Sequence, residues 1–216
     1  AATSAVITTG SGGDSIVFMD QVSGDGVIST NSGNDSIQFL KASTFSSADL
    51  GAGNDSVYGA DNINNAIISS GAGADTFLIS TLSNAAIYGG DAVDSINISG
   101  SLYGATVDFG AGDESITLTV DSSNSTIAGG EGNDTFVLSR VESTAGSVSA
   151  GIITNTLLKG DAGSDSFYID RTLSGGSISG GAGSDTIRLL SSLTGTSVNA
   201  GAGSDSLIVT TTLLNS

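Results

Sequence analysis

Residues Gly181 to Ala200 read Gly-Ala-Gly-Ser-Asp-Thr-Ile-Arg-Leu-Leu-Ser-Ser-Leu-Thr-Gly-Thr-Ser-Val-Asn-Ala, and the rest of the chain repeats this stretch with variations. Two glycines flank one residue, an acid follows two places later, a Ser or Thr comes next, and apolar residues then alternate with polar ones. The acid of each copy falls at Asp14, Asp35, Asp55, Asp75, Asp94, Glu114, Asp134, Asp165, Asp185 and Asp205. Successive intervals are 21, 20, 20, 19, 20, 20, 31, 20 and 20 residues, so the 216-residue chain is a tandem array of ten copies. A fixed period of this length is the mark of a repeat architecture, in which each unit is one supersecondary element.

Within the copy quoted, Ile187 and Leu189 follow the acid at period 2, Val198 sits on a second short run, and Leu193 lies between them. Equivalent inward positions are Ile16/Phe18 with Ile28, Phe77/Ile79 with Ile87, Ile96/Ile98 with Val107, Ile116/Leu118 with Ile127, and Phe167/Ile169 with Ile178. Alternation over three to five residues means strand, and no stripe of period 3.6 is present, so no helix is expected. Two short strands and two turns cannot bury a face alone and must stack on the next copy. The expected fold is all-β: a parallel β-solenoid, β-roll-like, of about ten coils of about 20 residues with two short strands each, running as a single array over 1–216. At about 4.8 Å per coil the rod is about 50 Å long. Its core is thin, with small residues such as Ala85, Ala105 and Gly176 at the tight places. One interval is 11 residues too long, which places an insertion or enlarged loop within 141–161. Either Ser147 to Gly151 imitates the segment before the loop, or Asn155 to Gly160 does. Leu158 favours the second, standing seven residues before Asp165 as Ile178 stands before Asp185.

Composition removes several functional classes. There are 32 Gly, one Met and no Pro, Cys, His or Trp, where ordinary usage carries roughly 5% Pro. Without Cys or His there is no thiol nucleophile, no His-based triad, no Cys/His zinc site and no disulfide framework. Five basic against 22 acidic residues give a net charge of −17. Such a surface repels a phosphate backbone, so nucleic acid is not an expected partner. A hydrophobic fraction of 38% is too high for a disordered acidic tail. No run of 18 or more apolar residues exists to span a bilayer.

Stacking brings the ten acids into one column with neighbours about 4.8 Å apart. Two unit charges at that distance repel by about 0.9 kcal/mol in water and about 3.5 kcal/mol at an effective dielectric of 20. Summed along the column, this rivals the stability of an ordinary domain. The basic residues Lys41, Arg140, Lys159, Arg171 and Arg188 are scattered and none belongs to the repeating loop. A hard divalent cation bound by oxygen supplies the missing charge, and Ca²⁺, which accepts six to eight ligands in flexible geometry, suits the loop better than Mg²⁺. Glycines at alternate loop positions permit positive φ, let carbonyls turn toward an ion and offer no Cβ to block it. On a plain solvated edge screened by salt their spacing would have no reason to recur.

Gly51-Ala52-Gly53-Asn54-Asp55-Ser56-Val57, Gly130-Glu131-Gly132-Asn133-Asp134-Thr135-Phe136 and Gly181-Ala182-Gly183-Ser184-Asp185-Thr186-Ile187 resemble the RTX, or hemolysin-type, calcium-binding repeat GGxGxDxUx, where U is a large apolar residue. The resemblance covers nearly the whole chain. It implies a right-handed β-roll with Ca²⁺ between the loops of neighbouring coils, bound by the acid and by loop carbonyls. Carried over residue by residue, the metal site comprises Asp14, Asp35, Asp55, Asp75, Asp94, Glu114, Asp134, Asp165, Asp185 and Asp205. With them go Gly51, Gly53, Gly71, Gly73, Gly110, Gly112, Gly130, Gly132, Gly181, Gly183, Gly201 and Gly203. The familiar roll has a nine-residue unit and an ion row on both edges. Here one turn per coil carries the motif, so a single row of about eight or nine ions is expected, as in the similar calcium-binding solenoids of RTX adhesins. Nine ions would bring +18 against the chain's −17. Four loops depart from the pattern and are expected to bind weakly. Asn31 replaces the first Gly before Asp35, Ala92 and Val93 precede Asp94, Glu114 replaces Asp, and Asp161 takes a Gly position before Asp165.

The residue after each acid is Ser or Thr in all ten copies, which a turn or ladder role explains without catalysis. The loop residue between the glycines is mostly Ala, whereas the resembling ice-binding coils carry Thr there, so an ice-binding or glycan-binding face ranks second. Tyr58, Tyr88, Tyr103 and Tyr168 form no regular stripe and are expected to pack locally. The carboxylate pairs Asp113/Glu114 and Asp161/Asp165 belong to or adjoin the column, so no enzyme is expected. Both ends of the sequence fall inside a repeat, which leaves two partners open: a second copy stacked head to tail, or flanking coils of a longer chain. Weak calcium sites need the millimolar calcium found outside cells, which places the chain extracellularly or at a cell surface, and the resemblance implies type I secretion. The expected role is structural: a filament, surface-layer or adhesin-stalk segment.

Overall fold

The computed structural model describes residues 5–119, 121–139, 152–210 and 213–214, the last two by backbone alone. The described residues are all-β, without a helix. The chain is a parallel β-solenoid of about ten turns of about 20 residues, with one strand of each turn in each of two sheets. One sheet has ten strands, from Val6–Thr8 to Ser197–Ala202, and the other has 16. Every paired strand runs parallel to the equivalent strand one coil away, as in Ser177↔Ser197 and Ile178↔Val198. Parallel strands need a crossover between them. Here the rest of the coil serves as that crossover.

One coil shows the path. Strand Ser177–Ala182 runs along the ten-stranded sheet and the Gly-rich loop turns the chain. Thr186–Leu189 then runs along the other sheet, which bends before Leu193–Thr194, and a second turn leads into Ser197–Ala202. In the coils of Ser56–Asn64, Thr76–Ser83 and Ser95–Tyr103 the two limbs of the second side fuse into one strand, with the register slipping at the bend. The second side of the coil is therefore longer than a single short strand, because the bend carries it around a third apolar column.

That column and two others form the core. Register aligns Ile28, Ala48, Ile68, Ile87, Val107, Ile127, Leu158 and Ile178 on the first sheet. Val57, Phe77, Ile96, Ile116, Phe136, Phe167 and Ile187 align on the second. All are buried, and each large side chain stabilises the stack by roughly 1.5–3 kcal/mol. Like residues meet like across coils, so Phe136 and Phe167 stack with centroids 4.4 Å apart and planes at 10°. Beyond the bend, Ile63, Leu82, Leu102, Ile153, Leu173 and Leu193 complete the packing; their column is broken at Ser122, whose hydroxyl meets that of Thr156 at 2.9 Å. Ala85 and Ala105 are buried at the close approaches.

Leu158 lies in register between Ile127 and Ile178, and Ile153 packs two residues before the turn at Asn155. The extra residues therefore precede Ile152, and positions 141–151 of the expected insertion lie outside the described residues. The second turn has a rule of its own. Asn65, Asn84, Gly104, Asn124, Asn155, Gly175 and Gly195 all adopt φ between 48° and 73°. Asn and Gly are the residues that enter the left-handed region at least cost, and from Asn65 to Gly195 this position carries one or the other.

Candidate metal centre

The loop is built first by backbone stacking. Gly181 and Gly183 have φ of +119° and +139°, and the equivalent glycines of other coils are similar. A Cβ on Gly183 would collide with the carbonyl of Gly163, one on Gly53 with that of Gly33, and one on Gly71 with that of Gly51. Glycine is thus favoured because each loop sits directly on the loop below. The close stack is by itself a sufficient cause for the recurrence of these glycines. Three of the departing positions conform: Asn31, Ala92 and Asp161 take φ of 70°, 79° and 70° where other loops have Gly.

Two side-chain ladders tie the loops together. The residue before the acid accepts the amide of its counterpart one coil later: Asn34 Oδ1 from Asn54 N–H at 2.9 Å, Asn54 Oδ1 from Ala74 N–H at 3.0 Å, and Asp113 Oδ1 from Asn133 N–H at 2.7 Å. The acid itself points the other way. Asp55 Oδ1 accepts the backbone N–H of Asp35 at 2.7 Å, Asp75 Oδ1 that of Asp55 at 2.7 Å, and Asp185 Oδ1 that of Asp165 at 2.8 Å. The Asn ladder was missed in the sequence, although Asn recurs before the acid at positions 34, 54 and 133.

The ten acids do form a column, but it is interior. Asp35, Asp55, Asp75, Asp94, Glu114, Asp134, Asp165 and Asp185 are at most 3% exposed, and only the outermost, Asp14 and Asp205, are half-buried. A solvated acidic edge is therefore not what the fold presents. Each of the seven buried Asp has one oxygen, Oδ2, with no hydrogen-bond partner, and Glu114 has two. In the coils of Asp94, Asp134, Asp165 and Asp185 this oxygen lies over the Gly five residues earlier, where any Cβ would strike it. Burial pushes Asp55 up to about 6, Asp94 up to about 7 and Asp165 up to about 6, with the neighbouring carboxylates adding to the rise. Asp75, Asp134 and Glu114 are raised as well, by burial first, and Glu114 also by Asp134 beside it.

A partnerless buried carboxylate oxygen costs several kcal/mol unless a proton or a cation meets it. The orphaned atoms are hard oxygens in a regular row, the donor type that suits Ca²⁺. Among the described residues no three acidic side chains gather around one point. An ion in this row would draw on carboxylates from successive coils and on backbone oxygens. The site residues of the departing loops, Asp35, Asp94, Glu114 and Asp165, are as buried as the others.

The hydroxyl positions after the acids run in register from Ser15 through Ser36, Ser56 and Thr76 to Ser206, mostly exposed, with their amides donating to the acid carbonyl of the preceding coil. The Ser/Thr that follow the acids thus form an ordered outward hydroxyl row. The four Tyr are exposed rather than packed, and Arg188 lies over the Tyr168 ring at 6.0 Å. Arg171 is buried and donates to Asp121 at 2.9 Å and to the Ser139 carbonyl at 3.1 Å.

Fold and loop define the class: a parallel β-solenoid, consistent with a β-roll, with a column of acids beneath one turn. Comparison of the chain with protein-family models, with curated protein sequences and with solved structures finds no match.

Proposed function

We propose that this chain is an RTX-type, calcium-stabilised structural solenoid acting outside the cell, as a filament, surface-layer or adhesin-stalk segment. The observation that carries the reading is the row of eight buried acids, each with at least one carboxylate oxygen lacking a partner. Bound Ca²⁺ would supply positive charge to that row and couple successive coils. The chain's own part is to hold the oxygens: the backbone amide of the preceding coil orients each Asp through Oδ1, and the stacked loops exclude water from Oδ2. Asp14 and Asp205, at the ends of the row, have neighbours on one side only, and eight or nine ions correspond to one per gap.

Assembly along the axis belongs to the same reading. Leu207 and Val209 continue the columns of Ile187 and Leu189 yet are 50% and 37% exposed, and with Leu193 and Val198 they line a cavity of about 340 Å³. A further coil, from a second copy stacked head to tail or from flanking coils of a longer chain, would cover this face. No helix among the described residues is long and apolar enough to cross a membrane. The outward hydroxyl row favours one second reading, a ligand-binding face for ice or glycan.

The test is the number of calcium ions per chain, measured by elemental analysis after exhaustive dialysis against a known free concentration. Eight or nine supports a single row, and about twice that supports two. No bound calcium, with an unchanged far-ultraviolet strand signal in excess EGTA, would end the proposal.

A further inference from the structure

The row is not uniform. Each buried Asp spends Oδ1 on the amide of the acid in the preceding coil and keeps Oδ2 free. Glu114 breaks this rule. Neither Oε1 nor Oε2 makes a hydrogen bond of ordinary geometry, although the side chain is 1% exposed and both the Asp94 amide and the Asp134 carboxylate lie close to it. Its extra methylene turns the carboxylate over its own loop, where Oε1 lies against Gly112 so closely that a Cβ there would strike it. The amide of Glu114 still donates to Asp134 Oδ1 at 3.0 Å, leaving Asp134 Oδ2 free on the next coil. Glu114 with Asp134 Oδ2 makes three unpartnered carboxylate oxygens, as it does with Asp94 Oδ2 on the other side, against two between consecutive buried Asp; of the two neighbours Asp134 acts on Glu114 more strongly. Asp113 and Asp161 add their charge close to Asp134.

We propose that Glu114, with Asp134, forms a distinct divalent-cation site that binds its ion more tightly than the rest of the row and fills first. The proposal rests on the cation-row reading and deepens it. Two free oxygens on one carboxylate allow bidentate binding, the arrangement that suits the high coordination number of Ca²⁺ and that octahedral Mg²⁺ does not favour. Affinity at oxygen sites follows the number of charged ligands and the rigidity of their frame. Here the charges of Asp113 and Asp161 add to those of the pair, and buried coils on either side hold the frame. The substitution that weakens the loop as a copy of the repeat thus strengthens it as a site.

Calorimetric titration of calcium chloride into the metal-free full chain tests this, with Glu114→Asp, Glu114→Gln and Asp185→Asn alongside. In the unsubstituted chain about one ion should bind at least about tenfold more tightly than the others. Glu114→Asp keeps the charge but returns one oxygen to the Asp94 amide, so it should lose that tight ion while leaving the remaining ions unchanged. Glu114→Gln should do the same, and Asp185→Asn should retain the tight ion. A single class of ions in the unsubstituted chain, or a tight ion that survives Glu114→Asp, overturns the Glu114 site and leaves the row standing. No calcium binding at all removes the row and this site together. Should Glu114→Gln not fold, Glu114→Asp decides, because the other nine loops already carry Asp.

Discussion

The buried column makes the metal-free rod sensitive to pH in the direction opposite to most proteins. Burial raises Asp55 to about 6, Asp94 to about 7 and Asp165 to about 6, from an ordinary value of 3.8. A carboxyl raised on folding binds its proton more tightly in the folded chain. Between the unfolded and folded values the native state therefore holds the extra proton, and stability falls as pH rises through that window. A shift of one pKa unit corresponds to about 1.4 kcal/mol, so the three groups together weaken the metal-free fold by an amount on the order of several kcal/mol between pH 3 and pH 8, a large part of the stability of a typical domain. Calcium needs the carboxylates ionised, so saturating calcium should lift the pH 8 form and do little at pH 4. The assay is thermal unfolding of dialysed, metal-free chain, followed by far-ultraviolet circular dichroism from pH 4 to pH 8, with and without calcium. The metal-free midpoint should fall steadily across this range and recover with calcium at the alkaline end only. A metal-free midpoint that is flat or rises with pH would refute the reasoning, because it would mean that the carboxylates are not held in a dry column.

Two substitutions separate the loop's parts. Asp185→Ala should release one or two ions and leave the Asp165 amide unpaired, costing about 1–3 kcal/mol, whereas Ser192→Ala should change neither calcium content nor the urea midpoint; equal effects would contradict a localised row. Gly183→Ala, which places a Cβ on the Gly163 carbonyl at φ +139°, should destabilise the rod by more than about 2 kcal/mol even in saturating calcium; Ser184→Ala next to it should be nearly silent, and a harmless Gly183→Ala would mean the loops do not stack so closely.

The array, its period and its inward residues were legible because each depends on local alternation repeated many times. Ile187, Leu189 and Val198 read as core in one copy and the other copies vote the same way, so single irregular coils do no harm. The second turn was harder. Its signal is one Asn or Gly per coil, from Asn65 to Gly195, among many other Gly and Asn in a chain with 32 Gly. The depth of the acids was not legible at all, since the same spacing serves a column on the outside of a turn or beneath it. What decides is the amide of the preceding coil, which holds Asp55 Oδ1 beneath the loop, and that contact joins residues 20 apart.

Depth changes what the acids can do. On an exposed edge, salt would screen the row and a specific ion would be one option among several. Beneath the loop, screening ions have no access and the backbone has already satisfied one oxygen of each Asp. The second oxygen then has two ways to be met, a proton or a cation held between coils. The proton needs no special geometry and wins in acid. The cation wins where it is abundant and the medium is near neutral, and it joins neighbouring coils, which a proton on one carboxyl does less well. On the calcium proposal, a chain without disulfides, with one residue in eight charged and most of those acidic, would keep its coils together only under conditions that fill the column, and the surrounding medium would select when the rod is stiff.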